Sequence, residues 1–199
     1  MKDHDTKQRI IDAGTKAIVE KSFNGVGLKE ILDAAGVPKG SFYHYFKSKE
    51  HFGIAVVEDS SEHHLSFTRK LFADQDKTPM ERIRAYFIEV RDHLQELGSQ
   101  RQCLIAKVAL EESRLSEPMR NAIKVGYDQW QVLLAGVIRL AQAEGEIASD
   151  LDADELAAFL QNSWEGAMVR MEIDRDCKAL DAFISLVLDR MLSIQAATA

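Results

Sequence analysis

Fifteen consecutive residues, 35–49, hold the groups in this chain best suited to contacting a polyanion. They read Ala-Gly-Val-Pro-Lys-Gly-Ser-Phe-Tyr-His-Tyr-Phe-Lys-Ser-Lys. Lys39, Lys47 and Lys49 supply ammonium groups. Ser41, Tyr43 and Tyr45 supply hydroxyls, and His44 an imidazole. Gly40 lets another molecule approach the backbone closely. Such groups donate to phosphate oxygens and read base edges. The cluster stands out because the chain is acidic, with a formal net charge of −7 over 199 residues. Residues 1–50 hold nine Lys/Arg against seven Asp/Glu, net +2, which leaves 16 against 25, net −9, for the remainder. A mildly basic head on an acidic body suggests two jobs.

The second chemically pointed residue is Cys103, in Gln102-Cys103-Leu104-Ile105-Ala106-Lys107. A helix is expected to begin near Gln102. A thiol at a helix N-terminus has its thiolate stabilised by the dipole and free N–H groups. Arg101 and Lys107 add positive potential. The competing reading is a buried cysteine acting as a small hydrophobe. Cys177, in the polar run Asp174-Arg175-Asp176-Cys177-Lys178, reads as an exposed loop residue. His63 and His64 are adjacent, so on a helix they point in different directions and make a poor metal pair. No metal and no cofactor is expected.

The elements that must position these groups are helices. Apolar residues recur at helical spacing nearly throughout, and no stretch alternates as a strand does. The expected fold class is all-α with about nine helices. A first helix starts after Asp5 or Thr6 and stops near Ser22, with Ile10, Ala13, Ala17 and Ile18 inward. A second runs from Leu28 to Ala35 and ends on Gly36. Pro38 opens a third that ends by Phe46-Lys47. Ser48 caps a fourth that reaches the seventies. Thr78-Pro79-Met80-Glu81 reads as a capping box for the next helix, which Gly98 closes. Further helices are expected near Gln102, from Ser116-Glu117-Pro118 to about Gln142 or Glu144, from Asp152 to about Ile173, and from about Ala179 to Ile194. Helices two and three, joined by Gly36-Val37, have the size of a helix-turn-helix. Phe42 and Phe46 lie on the buried face of helix three with Val37, Ile31 and Phe23. The polar residues of 39–45 then lie nearer the outside.

Composition bounds the rest. The chain is long enough to bury a good core. Its polar start is not a secretory signal. No apolar run approaches the roughly 20 residues of a membrane span. Two cysteines are too few for a disulfide framework. A soluble, cytoplasmic protein is expected, with no membrane association.

Residues 36–50, Gly-Val-Pro-Lys-Gly-Ser-Phe-Tyr-His-Tyr-Phe-Lys-Ser-Lys-Glu, resemble the DNA-binding signature of the TetR family of bacterial transcriptional regulators. The match runs from about residue 6 to 60. The rest resembles the family in length and helix count more than in residues. The resemblance implies a homodimer whose helix-turn-helix heads (1–50, with helix four linking from about 48) read a palindromic double-stranded operator. Its bodies (51–199) dimerise and bind a small effector. By motif position Lys29, Lys39, Gly40, Ser41, Tyr43, His44, Tyr45 and Lys49 form the DNA-facing set. Lys39, Gly40, Ser41 and His44 would reach bases, while Tyr43, Tyr45 and Lys49 would hold phosphates. Two positions depart from the pattern. Gly27 stands where the family usually caps helix two with Ser or Thr, and Leu32 where it favours Ala.

Cys103 to Glu111, with Leu115-Ser116-Glu117-Pro118-Met119-Arg120, resemble a branch that includes the repressor of N-ethylmaleimide reductase. This implies an electrophile or oxidant signal acting through Cys103. Tyr127, Trp130, Trp164 and Met168 either line an effector cavity or are plain core. Leu180, Phe183, Ile184, Val187, Leu188, Met191 and Leu192, with the stripe on the preceding helix (Leu156, Phe159, Leu160, Ser163, Trp164, Ala167), face either a symmetry mate or their own core. The reading is a non-catalytic repressor released by a small-molecule or electrophile signal relayed through helix four. The alternatives are an activator with the same head, and a small helical thiol enzyme or binding module.

Overall fold

A computed structural model describes residues 2–96, 104–112 and 116–192, with side chains from Thr6 onward. Cys103, Arg101 and Gly98 lie outside the described residues. The described residues contain no strand. Nine α-helices follow in order: α1 Lys2–Lys21, α2 Leu28–Ala35, α3 Lys39–Tyr45, α4 Lys49–Phe72, α5 Pro79–Glu96, α6 Leu104–Glu112, α7 Glu117–Ala143, α8 Ala153–Asp174 and α9 Lys178–Ala182. The fold class is all-α, as the apolar spacing implies. α1 begins at Lys2, earlier than the polar start suggests. After Ala182 the last helix widens into a π-helix over Phe183–Leu192. Its apolar four-residue spacing fits either winding, so this register is not legible in the pattern.

The helix starts are chemically specified. Ser48 accepts from the His51 N–H at 3.0 Å. Thr78 and Glu81 form the reciprocal capping box at 2.9 and 3.3 Å. Asp152 accepts from the N–H groups of Asp154 and Glu155. Each satisfies donors that the first turn of a helix cannot pair internally.

The chain forms two compact units. The first comprises Met1–His63 and Arg101–Gly126, so it takes in α6 and the start of α7 along with the N-terminal helices. Its core holds Ile10, Ile18, Ile31, Phe42, Phe46 and Phe52, none with any exposed surface. The rings of Phe42, Phe46 and Phe52 pack mutually at 5.2 to 5.7 Å. The second unit comprises His64–Gln100 and Tyr127–Ala199. Its core runs through Leu65, Ile83, Phe87, Leu134, Ile138, Leu160, Trp164, Phe183 and Leu188.

In the C-terminal elements, Leu180, Phe183, Ile184, Leu188 and Leu192 are buried in the chain's own core, as are Leu160 and Trp164. Most of the stripe considered for a symmetry mate is therefore intramolecular. The exposed apolar residues there are Phe159, Val169 and Ile173 on α8, and Leu186 and Met191 on the π-helix.

Candidate nucleic-acid interface

The turn between α2 and α3 is built by its backbone. Gly36 adopts the left-handed conformation, φ 63° and ψ 38°, and the Val37 N–H donates to the Leu32 carbonyl at 3.0 Å. This closes the end of α2 in the manner of a glycine C-cap. The Arg9 guanidinium donates to the Ala35 carbonyl at 2.5 Å, which ties the turn to α1. Pro38 is the N-cap of α3 and not its first helical residue. Gly27, the first departure from the family pattern, caps α2 with no side-chain hydrogen bond. Leu32, the second, is accommodated in the core with 2% exposure.

With Phe42 and Phe46 pinned inward, α3 can present only its other face. Lys39, Gly40, Tyr43 and His44 are exposed there, and so is Lys29 at the start of α2. Ser41 and Tyr45 are half-buried, and Tyr45 packs edge-on against His44 with ring centroids 5.0 Å apart. A Cβ built on Gly40 would meet no atom of the protein within 4 Å. The fold therefore does not require glycine at this point. Lys49 behaves differently from the rest of the set. Its ammonium donates to the Val26 carbonyl at 2.7 Å and lies 4.9 Å from the centre of the Phe23 ring. It clamps the loop between α1 and α2, where cation–π contact and hydrogen bond act together.

α6 is docked on the same unit through polar contacts that the sequence did not disclose. Lys107 donates to the Val19 carbonyl at 2.7 Å, near the end of α1. The last carbonyls of a helix lack internal partners, and a cation there also suits the dipole. Lys107 is thus engaged with α1. The Asn24 side chain donates to Glu112 at 2.7 Å, and its backbone N–H to Glu111 at 3.1 Å. Glu112 is only 7% exposed. Ser116 donates to Glu50 at 2.6 Å and accepts from the Met119 N–H. Apart from the Met119–Ser116 cap, these pairings join residues more than 60 positions apart, and no local pattern signals them.

In the second unit, Trp130 and Trp164 are buried, while Tyr127 and Met168 are half-buried. Both indoles lie against Phe87, at 6.4 and 5.0 Å between centroids. Burial pushes the Glu165 carboxyl up, against hydrogen bonds from Tyr127 and Gln161 that pull it down. His64 is the residue that sequence reasoning weighed only as a metal ligand. Its Nε2 is 2.9 Å from the Tyr86 hydroxyl, and burial lowers its pKa from 6.5 to about 4, so the ring is neutral. The available signal was position: His64 flanks the buried stripe Val57, Ser61, Leu65, Thr68 and Phe72 on α4. Its neighbour His63 points elsewhere and pairs with Asp59 at 3.3 Å. Among the described residues no group of three or more His, Cys, Asp or Glu side chains is arranged to hold a metal.

Comparison with known proteins agrees with this geometry. Residues 10–56 match the family model for bacterial regulatory proteins of the tetR family, and residues 79–187 match that for the tetracyclin repressor-like C-terminal domain. The chain is 35% identical over 176 residues to the transcriptional regulator AcuR of Cereibacter sphaeroides, covering 88% of this chain and 80% of that protein. It is 34% identical over 186 residues to the HTH-type transcriptional repressor DhaR of a Mycobacterium species, covering 94% and 92%. The crystal structure of reduced Escherichia coli NemR superposes with a TM-score of 0.87 at 31% identity, covering 92% and 95% of the two chains. This similarity supports the NemR-like branch within the family. Regulators of this family bind operator DNA and form dimers. The chain belongs to the TetR family of bacterial regulatory proteins and is a DNA-binding transcriptional regulator.

Proposed function

We propose that the protein is a homodimeric, cytoplasmic, non-catalytic repressor that leaves its operator when a small molecule or electrophile acts on the body. The observation that carries the DNA-binding half is the face of α3, where Phe42 and Phe46 are fully buried while Lys39, Gly40, Tyr43 and His44 are exposed. A helix anchored this way can enter the major groove as a rigid reader. Lys39, Gly40, Ser41 and His44 contact base edges, and Lys29, Tyr43 and Tyr45 hold the backbone. Lys49 contributes by fixing the loop before α2, with any phosphate contact secondary to that. Function divides near residue 50, with the reader before it and the dimer and effector surfaces after it.

The apolar residues exposed on α8 and the π-helix, Phe159, Val169, Ile173, Leu186 and Met191, support the dimer. Within the body, the effector reading draws support from Tyr127, Trp130, Trp164 and Met168, which lie on α7 and α8 in one compact unit. The electrophile reading rests on Cys103 and its place just ahead of α6.

The test is a titration of the purified protein against DNA from upstream of its own gene, followed by fluorescence anisotropy at several salt concentrations. Tight binding that weakens steeply with salt is expected, because phosphate neutralisation releases counterions. Absence of binding at low salt overturns the reading. For Cys103, release of DNA by N-ethylmaleimide should disappear in Cys103→Ser, and full release by that variant refutes thiol sensing there.

A further inference from the structure

The Trp130 side chain is 5% exposed, yet its indole N–H has no hydrogen-bond acceptor. Buried donors in folded proteins are almost always paired, so an exception calls for a cause. Packing does not supply one, because phenylalanine or leucine would fill an apolar site without an orphaned donor. Two rings beside the indole carry polar atoms, and these are paired with each other, His64 Nε2 and the Tyr86 hydroxyl at 2.9 Å. The indole ring packs among three others, with centroids 5.5 Å from Tyr86, 6.3 Å from His64 and 6.4 Å from Phe87.

We propose that Trp130, His64 and Tyr86 form the polar centre of the effector site, and that it takes a small uncharged molecule with an acceptor oxygen, such as a ketone or other carbonyl compound. This rests on the effector reading above and names the chemistry of that site. The acceptor oxygen receives the Trp130 N–H, and the aromatic faces cover the apolar part of the molecule. Charge decides the class. His64 is held neutral by burial, the one cause of its lowered pKa, so its ring brings no positive charge to offset the desolvation of a carboxylate. An ammonium is excluded by its lack of an acceptor for the indole N–H.

The position of His64 gives the site an output. The division between the two compact units crosses the continuous helix α4 between His63 and His64. A molecule that competes for Tyr86 or presses on the His64 ring acts on the helix whose N-terminal half belongs to the reading head. Such an occupant shifts the DNA-binding equilibrium only through its preference for one of the two states of that helix.

Two tryptophans make the test direct, since Nitrogen-15 spectra should show two indole N–H signals, assigned by comparison with Trp130→Phe. In the free protein the Trp130 signal should lie at the upfield position of an unbonded indole and exchange slowly with water. Cyclohexanone, cyclohexanecarboxylate and cyclohexylammonium are then compared at equal concentrations. Cyclohexanone should move the Trp130 signal downfield with a Kd of about 1 mM, and should weaken operator binding at least several-fold. The two charged analogues should bind at least tenfold more weakly, and Trp130→Phe should lose the ketone response. A free-state signal already in the bonded position, no shift with cyclohexanone, or equal binding of a charged analogue overturns the proposal. Operator binding by the wild type without any ketone reports separately on the regulator reading.

Discussion

Gly40→Ala separates what the fold needs from what DNA needs. Gly40 is the second residue of α3, it is exposed, and an added Cβ meets no protein atom within 4 Å. The protein alone should therefore gain from the change, because alanine loses less conformational freedom in a helix. The gain is about 0.5–1 kcal/mol, which for a chain of this size raises Tm by about 1–4 °C. With α3 in the proposed orientation, the same methyl would stand between the α3 backbone and the duplex in the complex. If α3 must withdraw enough to forfeit one good base contact, the loss is about 1–3 kcal/mol, or roughly 5- to 150-fold in Kd. The two effects have opposite signs, so a trivial misfolding explanation cannot produce both. Differential scanning fluorimetry reads the first and fluorescence anisotropy with labelled operator DNA reads the second. A variant that melts higher and still binds the operator within about twofold of wild type would refute close approach of DNA at Gly40, and with it the orientation assigned to α3.

Three other perturbations test the surrounding structure. His64 has its pKa lowered from 6.5 to about 4 by burial, so the fold holds the neutral ring. Its contribution is fully present above pH 6.5 and is lost as pH falls toward 4, by about 3 kcal/mol in all; chemical denaturation across that window should show the loss, and His64→Gln should flatten it. A flat wild-type profile between those values contradicts the burial argument. Gly14→Ala places a Cβ 2.2 Å from Phe52 Cζ, and that ring has no exposed surface and cannot swing away. Overpacking of about 1–3 kcal/mol should exceed the helical gain of about 1 kcal/mol and lower Tm by a few degrees; an unchanged or higher Tm counts against this contact. Asn24→Ala leaves the buried Glu112 carboxylate without its 2.7 Å donor. It should cost about 1–3 kcal/mol in urea denaturation, and a cost below about 0.5 kcal/mol would mean that α6 is not held to the head by this bond.

The exposed face of α3 was legible because its determinants are local. Phe42 and Phe46 are one helical turn apart, and once both are buried the outward direction of Lys39, Tyr43 and His44 follows from helical geometry alone. Gly36, Ser48, the Thr78–Glu81 box and Asp152 were legible for the same reason, since each cap acts within four residues of itself. The α6 contacts were not. Asn24 and Glu112 are 88 positions apart, and in a sequence each is one more polar residue on a helix or loop. Lys107 shows how this misleads. Read locally, it lends positive potential to Cys103 four residues earlier, whereas in the fold its ammonium is bonded to the Val19 carbonyl. A lysine engaged in this way contributes less to a neighbouring thiolate than its charge suggests. Lys107→Met therefore discriminates between its two roles. If Lys107 mainly secures α1, the variant should lose stability while the rate at which N-ethylmaleimide modifies Cys103 stays close to wild type. If the modification rate falls with stability unchanged, the lysine serves the thiol and the clamp on α1 is incidental.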